Sequence, residues 1–241
     1  MFGSFRGLSA KAVTGLDVVV VDVLRATTTI VYAVSRGATV VPLATEHEAL
    51  DRGAALGAHA ILVGEQQGKR LPGFHCNNSP TELAAFDLDG KTVVITTTNG
   101  TKAVAACADA HRIFAGALTN APALGRFLCA RGELERDVAV VCAGRSTGAL
   151  AFEDLLGAGA IVDAIVAGSP PANLWVTDGA RVAHELFERY RAGLAEAVHS
   201  SDAARELVEQ GGGGDVDTAG ALGACESVPL LREGAFVRHD R

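Results

Sequence analysis

The sequence predicts an α/β protein, a three-layer α/β/α fold with a largely parallel or mixed sheet and a helical C-terminal third. Short apolar segments of strand character alternate with segments of helical periodicity over the first two thirds of the 241 residues. The chain is 49% hydrophobic but only 5% aromatic, and alanine and glycine are abundant. This composition is typical of helices that pack closely on both faces of a sheet.

The strand predictions rest on continuous runs of β-branched and aliphatic residues, the pattern of strands that are covered on both faces. These runs lie at 17–24, 39–44, 59–65, 91–97, 112–117 and 137–144. Segments of helical character follow most of them, at 27–37, 46–57, 100–109, 120–131 and 152–168. The alternation predicts a sheet with helices on each side.

One connection departs from this alternation. Residues 64–82 are predicted to form a long loop, because their Gly, Pro and Asn content excludes regular structure. A helix is expected to start at its end, over 79–86, with Ser79 as N-cap and Pro80 at the first helical position. Glu82 is expected to complete a capping box with Ser79.

The C-terminal third has a different character. Residues 178–210 show helical periodicity with little strand signal, and the four glycines at 211–214 are interpreted as a linker or a cap. The segment 228–240 is expected to add an edge strand with a disordered tip. We predict a single domain over 1–241, with two lobes that meet at a soft boundary near residue 170 as the alternative.

Composition also excludes several classes of function. The formal net charge of −7, with no basic run to offset it, argues against a nucleic-acid partner. The N-terminal segment lacks the apolar stretch of a signal peptide, and no apolar run approaches the length of a membrane span. Five cysteines without a C-x-x-C pair indicate reduced thiols. We therefore expect a cytoplasmic protein with no membrane partner.

Four of the apolar runs end in polar loops of similar character: "VVVVDVLRATTT", "AILVGEQQGKR", "VVITTTNGTK" and "VAVVCAGRSTG". Ligands of open α/β sheets bind outside the carboxyl ends of the strands, where helix N-termini supply N–H donors. If the four strands are parallel, one edge gathers Asp22, Arg25, Thr27, Glu65, Lys69, Thr97, Asn99, Thr101, Lys102, Arg145 and Ser146.

Acidic residues at this edge suggest a metal ion. Mg²⁺ prefers oxygen ligands and is usually held by one or two carboxylates, water and substrate phosphate oxygens. The candidate ligands are Asp22, Glu65, Glu153 and Asp154. Two alternatives stay open: Asp22 could instead pair with Arg25, and the two acids at 153–154 could simply complement the dipole of the helix that they begin.

Four segments in this order resemble the 2-phosphosulfolactate phosphatase family: "DVLRATTTI", "GFHCNNSPTE", "TTTNGTKA" and "CAGRSTGALAFEDLLGAGAIVDAI". The resemblance extends over nearly the whole chain, including the closing "VPLLREG". It implies a magnesium-dependent acid phosphatase that hydrolyses 2-phospho-3-sulfolactate to 3-sulfolactate and phosphate, a step of coenzyme M biosynthesis. The chain departs from the family pattern at Gln66, His75 and Asn77, which bears on the choice of substrate.

The resemblance implies a site for a substrate with a phosphate, a carboxylate and a sulfonate. Such a substrate needs cations beside the metal, and Arg25 and Arg145 suit bidentate recognition of its oxyanions. We expect Asp22, Arg25, Arg145 and Glu153 to be catalytic, with Cys142 as an alternative nucleophile. The expected metal ligands for Mg²⁺ are Asp22, Glu65, Glu153 and Asp154. Substrate is expected to bind Thr27, Lys69, Asn78, Thr97, Asn99, Thr101, Lys102 and Ser146.

The threonine-rich end of the strand at 91–97 is interpreted as a wall of oxyanion donors, with an ordinary Asn-Gly turn as the alternative. The expected partner is a small anionic phosphomonoester, and a homodimer stays open. Two other functions remain: a phosphatase for another small 2-phospho acid, and a non-catalytic anion-binding protein. Acidic groups at the strand ends favour the enzyme, because an anion binder without a metal would avoid them.

Overall fold

The computed structural model describes residues 1–130, 136–169 and 174–239 of the chain. Its strands are β1 (Asp17–Val21), β2 (Thr39–Pro42), β3 (Ala60–Gln66), β4 (Lys69–Arg70), β5 (Thr92–Thr96), β6 (Arg112–Gly116), β7 (Val138–Cys142), β8 (Pro229–Arg232) and β9 (Ala235–Arg238). Its α-helices are α1 (Ala26–Ser35), α2 (Glu46–Leu56), α3 (Pro80–Leu83), α4 (Gly100–Ala106), α5 (Ala121–Leu128), α6 (Phe152–Gly168), α7 (Asp178–Tyr190), α8 (Leu194–His199), α9 (Asp202–Glu209) and α10 (Gly213–Gly220). In the described ranges, no helix combines the length and apolar character that a membrane span requires.

The six strands predicted for the first two thirds are all present, but most end earlier than predicted. The first strand stops at Val21 because the carbonyl oxygen of Asp22 accepts a hydrogen bond from the N–H of Thr27, which turns the chain into α1. The predicted helix 120–131 starts at Ala121 and ends at Leu128; residue 131 lies outside the described part. The α/β class is confirmed.

The strands form one mixed sheet in the order β4-β3-β5-β2-β9-β8-β6-β1-β7. It contains two parallel trios, β3–β5–β2 and β6–β1–β7. The antiparallel hairpin β8–β9 lies between them and pairs with both. The nine-stranded sheet is therefore joined at its centre by the last strands of the chain.

This position of the hairpin contradicts the predicted edge strand at 228–240. Glu233 and Gly234 form a two-residue turn with φ of 50° and 81°, the positive values of the tight hairpin turns that suit twisted strands. Phe236 is fully buried and pairs with Val40 of β2. The sequence does not reveal this central position, because the outer partners of the hairpin, β2 and β6, lie more than 100 residues away in the chain. Residue 240, predicted to be in a disordered tip, lies outside the described residues.

The two trios run in opposite senses along the sheet, because three antiparallel pairings separate them. The premise that all four polar strand ends belong to mutually parallel strands is therefore wrong. Twist explains why these ends still meet. Each step between neighbouring strands adds about 20–25° of rotation, so the five steps from β5 to β1 accumulate about 100–125°. This rotation turns the carboxyl ends of both trios towards a common side.

Helices cover both faces of the sheet. Val18 and Val20 of β1 pack in a core with α1 and α4, whereas the alternate residues Val19 and Val21 pack in a second core with α5 and α6. A smaller cluster beneath α2 covers the other trio. Helix α7 packs outside α6. The three-layer arrangement is confirmed, whereas one domain with a soft boundary near 170 stays a prediction.

Two other segments differ from expectation. The loop 64–82 contains strand β4, which pairs with the end of β3, and the expected helix 79–86 is the single turn α3. The Ser79 hydroxyl accepts from the N–H of Glu82, but the Glu82 carboxylate accepts from the N–H of Asn77 at 2.9 Å, so the predicted capping box is only half formed. The glycines at 211–214 are not a free linker, because α10 begins at Gly213.

We expect Phe236→Ala to destabilise the protein by about 3–5 kcal/mol, because it leaves a cavity where the hairpin joins the trios. Val237→Ala, on the same strand but only half-buried, is the control and should cost clearly less. Equilibrium urea unfolding measures both. Equal losses would contradict the central role of the hairpin.

Candidate active site

The carboxyl ends of the two trios open into a cavity of about 370 Å³. The loops that follow β1, β3, β5 and β7 form most of its wall, and α9 closes one side. The residues predicted from the sequence that line it are Asp22, Arg25, Glu65, Asn78, Asn99, Arg145, Ser146, Glu153 and Asp154. The four acids proposed as metal ligands thus face one space.

Asp22 follows β1 directly and is only 7% exposed. Its Oδ1 accepts a hydrogen bond from the N–H of Ala26 at the start of α1, at 3.2 Å. Its Oδ2 points towards Gly100, where an added Cβ would lie 2.6 Å away, so glycine leaves room for the carboxylate. Burial, with smaller contributions from the charges of Glu65 and Glu153, raises the pKa of Asp22 to about 7.

Asp154 connects two strand ends. Its Oδ1 accepts from the N–H of Val23 after β1 at 2.8 Å, and its Oδ2 accepts from the N–H of Gly144 after β7 at 2.9 Å. The carboxylate is fully enclosed, and burial together with the charges of Asp22 and Glu153 raises its pKa well above the ordinary value. The alternative of a simple dipole partner does not account for Asp154, because its carboxylate accepts from N–H groups that follow two strands rather than from those of its own helix.

The two remaining acids are held differently. Glu153 is 3% exposed, and burial raises its pKa despite a hydrogen bond from Ser201 and the nearby charge of Arg145. Glu65 is half-buried and accepts from the N–H of Thr98 at 2.6 Å, from the Thr98 hydroxyl at 3.0 Å and from the N–H of Gly68 at 2.8 Å. Its carboxylate therefore joins the loop after β3 to the loop after β5.

Both arginines of the cavity already have acidic partners. Arg25, 6% exposed, donates from one terminal nitrogen to Asp215 at 2.7 Å and from the other to the Asn77 side-chain oxygen at 3.3 Å. Arg145 forms an ion pair with Glu206 of α9. Arg25 therefore does not form the ion pair with Asp22 that the alternative expected, although its charge is close enough to lower the pKa of Asp22. The cavity wall holds more carboxylates than arginines, and its arginines are paired.

Five of the residues predicted to bind substrate do not line the cavity. Lys69 and Lys102 are exposed. Thr97 and Thr101 bond to each other's backbone N–H groups at 3.1–3.2 Å and so begin α4. The hydroxyl of Thr27 bonds within the turn after β1. A threonine at a strand end serves such turns readily, because its hydroxyl both donates and accepts.

The end of β5 therefore contributes less to the cavity than expected. Thr98 and Asn99 line it, and the Asn99 side-chain oxygen accepts from Arg6 at 3.2 Å. The adjacent threonines serve the local turn. Of the residues that distinguish the chain from the family pattern, His75 accepts the N–H of Leu62 with its Nδ1 at 2.8 Å and is not part of the cavity wall.

Two acidic residues of the site were not predicted. Asp215 and Glu206 reach the arginines from α10 and α9, in the part of the chain that was interpreted only as helical. The sequence carries no local signal for either, because an acid on an amphipathic helix is normally a solvated residue. Asp215 is 1% exposed, and only the fold reveals that burial.

The thiol of Cys142 is unsuited to act as a nucleophile. It is fully buried at the end of β7 and its sulfur contacts the carbonyl oxygen of Asp154 at 3.6 Å. Burial and the neighbouring acids raise its pKa well above the ordinary value, which disfavours the reactive thiolate. The interpretation of a buried thiol at a strand end is therefore favoured.

The cavity combines a wall rich in carboxylates with room for a small ligand. Enclosed carboxylates repel one another, and the side-chain oxygen of Asn78 is buried without a hydrogen-bond partner. Among the described residues, no three carboxylates of the cavity have oxygens that all lie within 4.8 Å of one another. Asp163, His184 and Glu188 on α6 and α7 meet that spacing. Asp163 and Glu188, however, already form ion pairs with Arg191. An open carboxylate site suits Mg²⁺, which retains waters and takes phosphate oxygens.

Comparison with known proteins identifies the family. The profile of the 2-phosphosulpholactate phosphatase family matches residues 6–234. The chain belongs to the 2-phosphosulfolactate phosphatase family. A probable 2-phosphosulfolactate phosphatase of Symbiobacterium thermophilum is 39% identical over 236 residues, which cover 95% of this chain and 96% of that protein. The probable enzymes of Thermotoga maritima (34% identical over 91% of this chain and 90% of that protein) and Deinococcus radiodurans (36% over 89% and 87%) are similar.

Membership of the 2-phosphosulfolactate phosphatase family agrees with the resemblance seen in the four sequence segments. Each of those segments supplies part of the cavity wall: Asp22 and Arg25, then Asn78, then Thr98 and Asn99. The last segment supplies the stretch around 144–154. The family motifs are thus the loops that meet at the carboxyl ends of the strands.

The raised pKa of Asp22 has a consequence for stability in the absence of metal. The folded state binds the proton up to about pH 7, whereas the unfolded state releases it near pH 4. The folded state thus holds more protons in between, and this group's contribution to stability falls as pH rises from about 4 to 7. Asp22→Asn removes that loss.

We therefore expect the melting temperature of Asp22→Asn minus that of the wild type, measured in EDTA, to increase by several degrees between pH 5 and pH 8. Asp109→Asn, at an exposed position, is the control and should show no such trend. Thermal unfolding followed by circular dichroism measures the difference. A melting-temperature difference that stays constant or falls as pH rises would show that folding does not raise the pKa of Asp22.

Proposed function

We propose that this protein is a Mg²⁺-dependent phosphatase that hydrolyses 2-phospho-3-sulfolactate to 3-sulfolactate and phosphate. The proposal rests on the excess of carboxylates over unpaired arginines at the cavity wall, in a protein that belongs to this family. Asp22, Glu153 and Asp154 are buried at its wall, while both arginines are already paired. A multiply anionic substrate would be repelled from such a cavity unless a divalent cation bound with it.

The cation would be held by Asp22 with Glu65 or Glu153. Asp154 is less suited to direct ligation, because it is 2% exposed and both of its oxygens already accept backbone hydrogen bonds. The oxygens of Glu65 also accept backbone hydrogen bonds, but that carboxylate is only half-buried. When bound, Mg²⁺ would neutralise charge on the transferring phosphoryl group. The protein's own contribution is to keep these carboxylates fixed, by hydrogen bonds from α1 to Asp22 and from the loop after β5 to Glu65.

The arginines would orient the substrate. A guanidinium has five N–H donors, and Arg25 uses one on Asp215 and one on Asn77, so three remain for oxyanions of the substrate. Arg145 pairs with Glu206 at the cavity wall and lies beside Ser146. Asn78 and Asn99 supply neutral polar groups. Together they would recognise the phosphate, the carboxylate and the sulfonate.

Hydrolysis forms a bond from water oxygen to phosphorus and breaks the bond from phosphorus to the substrate's C2 oxygen. The attacking water loses a proton and the departing oxygen gains one. If Glu65 is the second ligand of the cation, Glu153 is the candidate to hold a proton at its carboxyl oxygen, because burial raises its pKa above the ordinary value. The Ser201 hydroxyl lies beside this carboxylate and opposes part of the rise in its pKa.

Other parts of the proposal concern the setting. Release of 3-sulfolactate would place the enzyme in coenzyme M biosynthesis. All five cysteines are free, which supports a reducing compartment such as the cytoplasm. Among the residues that distinguish the chain from the family pattern, Asn77 contacts Arg25 and is the first candidate to adjust substrate choice.

We expect the protein to release phosphate from 2-phospho-3-sulfolactate with Mg²⁺ and not with EDTA. Asp22→Asn should lower kcat by about 100-fold or more, because it removes a ligand of the cation that would neutralise charge on the phosphoryl group. A malachite-green assay measures release, with Asp109→Asn as the control. Parallel assays with 2-phospholactate and 2-phosphoglycerate would test selectivity. Faster phosphate release from either of these compounds would support the phosphatase activity but show that another 2-phospho acid is the substrate. Metal-independent binding without release would support an anion-binding protein.

The positions of the lysines give a second test. Lys102→Ala and Lys69→Ala should retain kcat/KM within about twofold, because exposed charges outside the cavity are screened by solvent. Arg145→Ala should raise KM by about tenfold or more, because it removes a charged donor from the wall. A large loss in either lysine variant would show that the loops close over the substrate.

A further inference from the structure

We propose that Asp215 is a positioning residue that orients the guanidinium of Arg25 towards substrate oxyanions, and that the glycine run before it exists to bring it there. This inference rests on the proposed function, since it assigns a role to a residue of the same site. Asp215 does not line the cavity, so it would act only through Arg25.

The hydrogen bonds of Asp215 divide its two oxygens between two tasks. Oδ1 accepts from the Ser79 hydroxyl at 2.8 Å, from the Thr81 hydroxyl at 2.6 Å and from the Thr81 N–H at 3.1 Å. Oδ2 accepts from Arg25 at 2.7 Å. Three donors fix the first oxygen, so the second is held in one place against the arginine.

Arg25 is consequently oriented from outside the cavity. Asp215 binds one terminal nitrogen and Asn77 binds the other at 3.3 Å. The Asn77 amide is itself anchored, since it donates to the carbonyl oxygen of Gly68 at 2.9 Å and accepts from the N–H of Asn78 at 2.8 Å. An arginine side chain without such partners would lose rotamer freedom on each binding event. In this structure the hydrogen bonds to Asp215 and Asn77 already fix the side chain of Arg25 before the substrate binds.

The glycine run explains how an acid of a C-terminal helix reaches this point. Gly211 has φ of 88°, a conformation that disfavours other residues, and reverses the chain after α9. A Cβ on Gly212 would lie 2.6 Å from a side-chain carbon of Leu207, which lines the cavity. The close reversal places Asp215 in the first turn of α10 against Ser79 and Thr81.

The test is a double-mutant cycle with Asp215→Asn, Arg25→Ala and the double variant, assayed with 2-phospho-3-sulfolactate and Mg²⁺. The asparagine keeps the shape of the side chain and removes its charge. We expect Asp215→Asn alone to lower kcat/KM by about 10–100-fold, the worth of a hydrogen bond to a charged group. In the Arg25→Ala background the same change should have an effect below about twofold, because the residue it acts through is gone.

Rescue by guanidinium chloride gives a readout that a purely structural role would not move. Millimolar guanidinium should restore part of the activity of Arg25→Ala, because Asp215 remains to hold it. Rescue of the double variant should be weaker at each concentration. Asp217→Asn, two residues further on the same helix with a side chain that is 73% exposed and paired with His199, is the matched control and should behave as the wild type.

Two outcomes would overturn the inference. Equal losses from Asp215→Asn in both backgrounds would assign Asp215 to the stability of α10, and wild-type kcat/KM in Asp215→Asn would remove its role. Circular dichroism checks each variant. If Arg25→Ala does not fold with Asp215 left unpaired, Arg25→Lys replaces it in the cycle, since lysine keeps the charge and loses the planar fork.

Failure of the proposed function would be visible separately. If the wild type releases no phosphate from the sulfonated substrate, that function is wrong, and the same four proteins are compared for binding of inorganic phosphate with Mg²⁺ by calorimetry. Weaker binding in Asp215→Asn that disappears as a difference in the Arg25→Ala background would still support the positioning role. Equal phosphate affinity in all four proteins, or no binding by the wild type, would overturn it.

Discussion

The cavity depends on one buried carboxylate, Asp154, which accepts hydrogen bonds from backbone N–H groups beyond two different strands. The donors at Val23 and Gly144 would otherwise be buried without partners, at a cost of about 1–3 kcal/mol each. Because Asp154 lies in the first turn of α6, these bonds also fix where that helix begins and where the adjacent Glu153 lies. Asp22 is bonded to Val23 in the chain, so its position follows from the same contact. Asp154 thus fixes the positions of Asp22 and Glu153, although it need not contact the substrate itself.

Charge then determines what the cavity can bind. Enclosed carboxylates raise one another's pKa, and only a proton or a cation relieves their repulsion. The two arginines supply only part of that relief, because their ion pairs are with Asp215 and Glu206 and the pKa values of Asp22 and Glu153 stay raised despite the arginine charges. A divalent cation would compete with protons for the same oxygens, so metal binding would release protons and weaken at low pH. The acidic wall and the paired arginines would therefore have complementary roles. The carboxylates would bind the cation, and the remaining N–H donors of the arginines would bind the anionic substrate.

How much the sequence could predict depended on whether the relevant contacts are local. Asp22 and Glu65 were foreseeable because an acid directly after an apolar strand surfaces at the carboxyl end of that strand. Asp215 and Glu206 were not, because the periodicity of an amphipathic helix does not tell which acid meets a partner from a distant loop. The threonines after β5 were assigned to substrate because their hydroxyls suit an oxyanion, yet Thr97 and Thr101 satisfy backbone N–H groups four residues apart. The hairpin β8–β9 was placed at an edge because a four-residue strand carries no information about its partners.

The C-terminal segment completes both the sheet and the site, and this links their formation. Hairpin β8–β9 joins one parallel trio to the other, because Phe236 of β9 pairs with β2 and Leu230 of β8 pairs with β6. Asp22 extends from one trio and Glu65 from the other, so the two acids can face each other only when the hairpin is in place. Asp215, on the helix that precedes the hairpin, links Ser79 and Thr81 at the start of α3 to Arg25. Contacts between such distant parts of the chain carry a loop-closure cost, and topologies that depend on them fold slowly. The set of acids at the cavity wall and the arginine bound to Asp215 therefore belong to the fully folded chain and not to either trio alone.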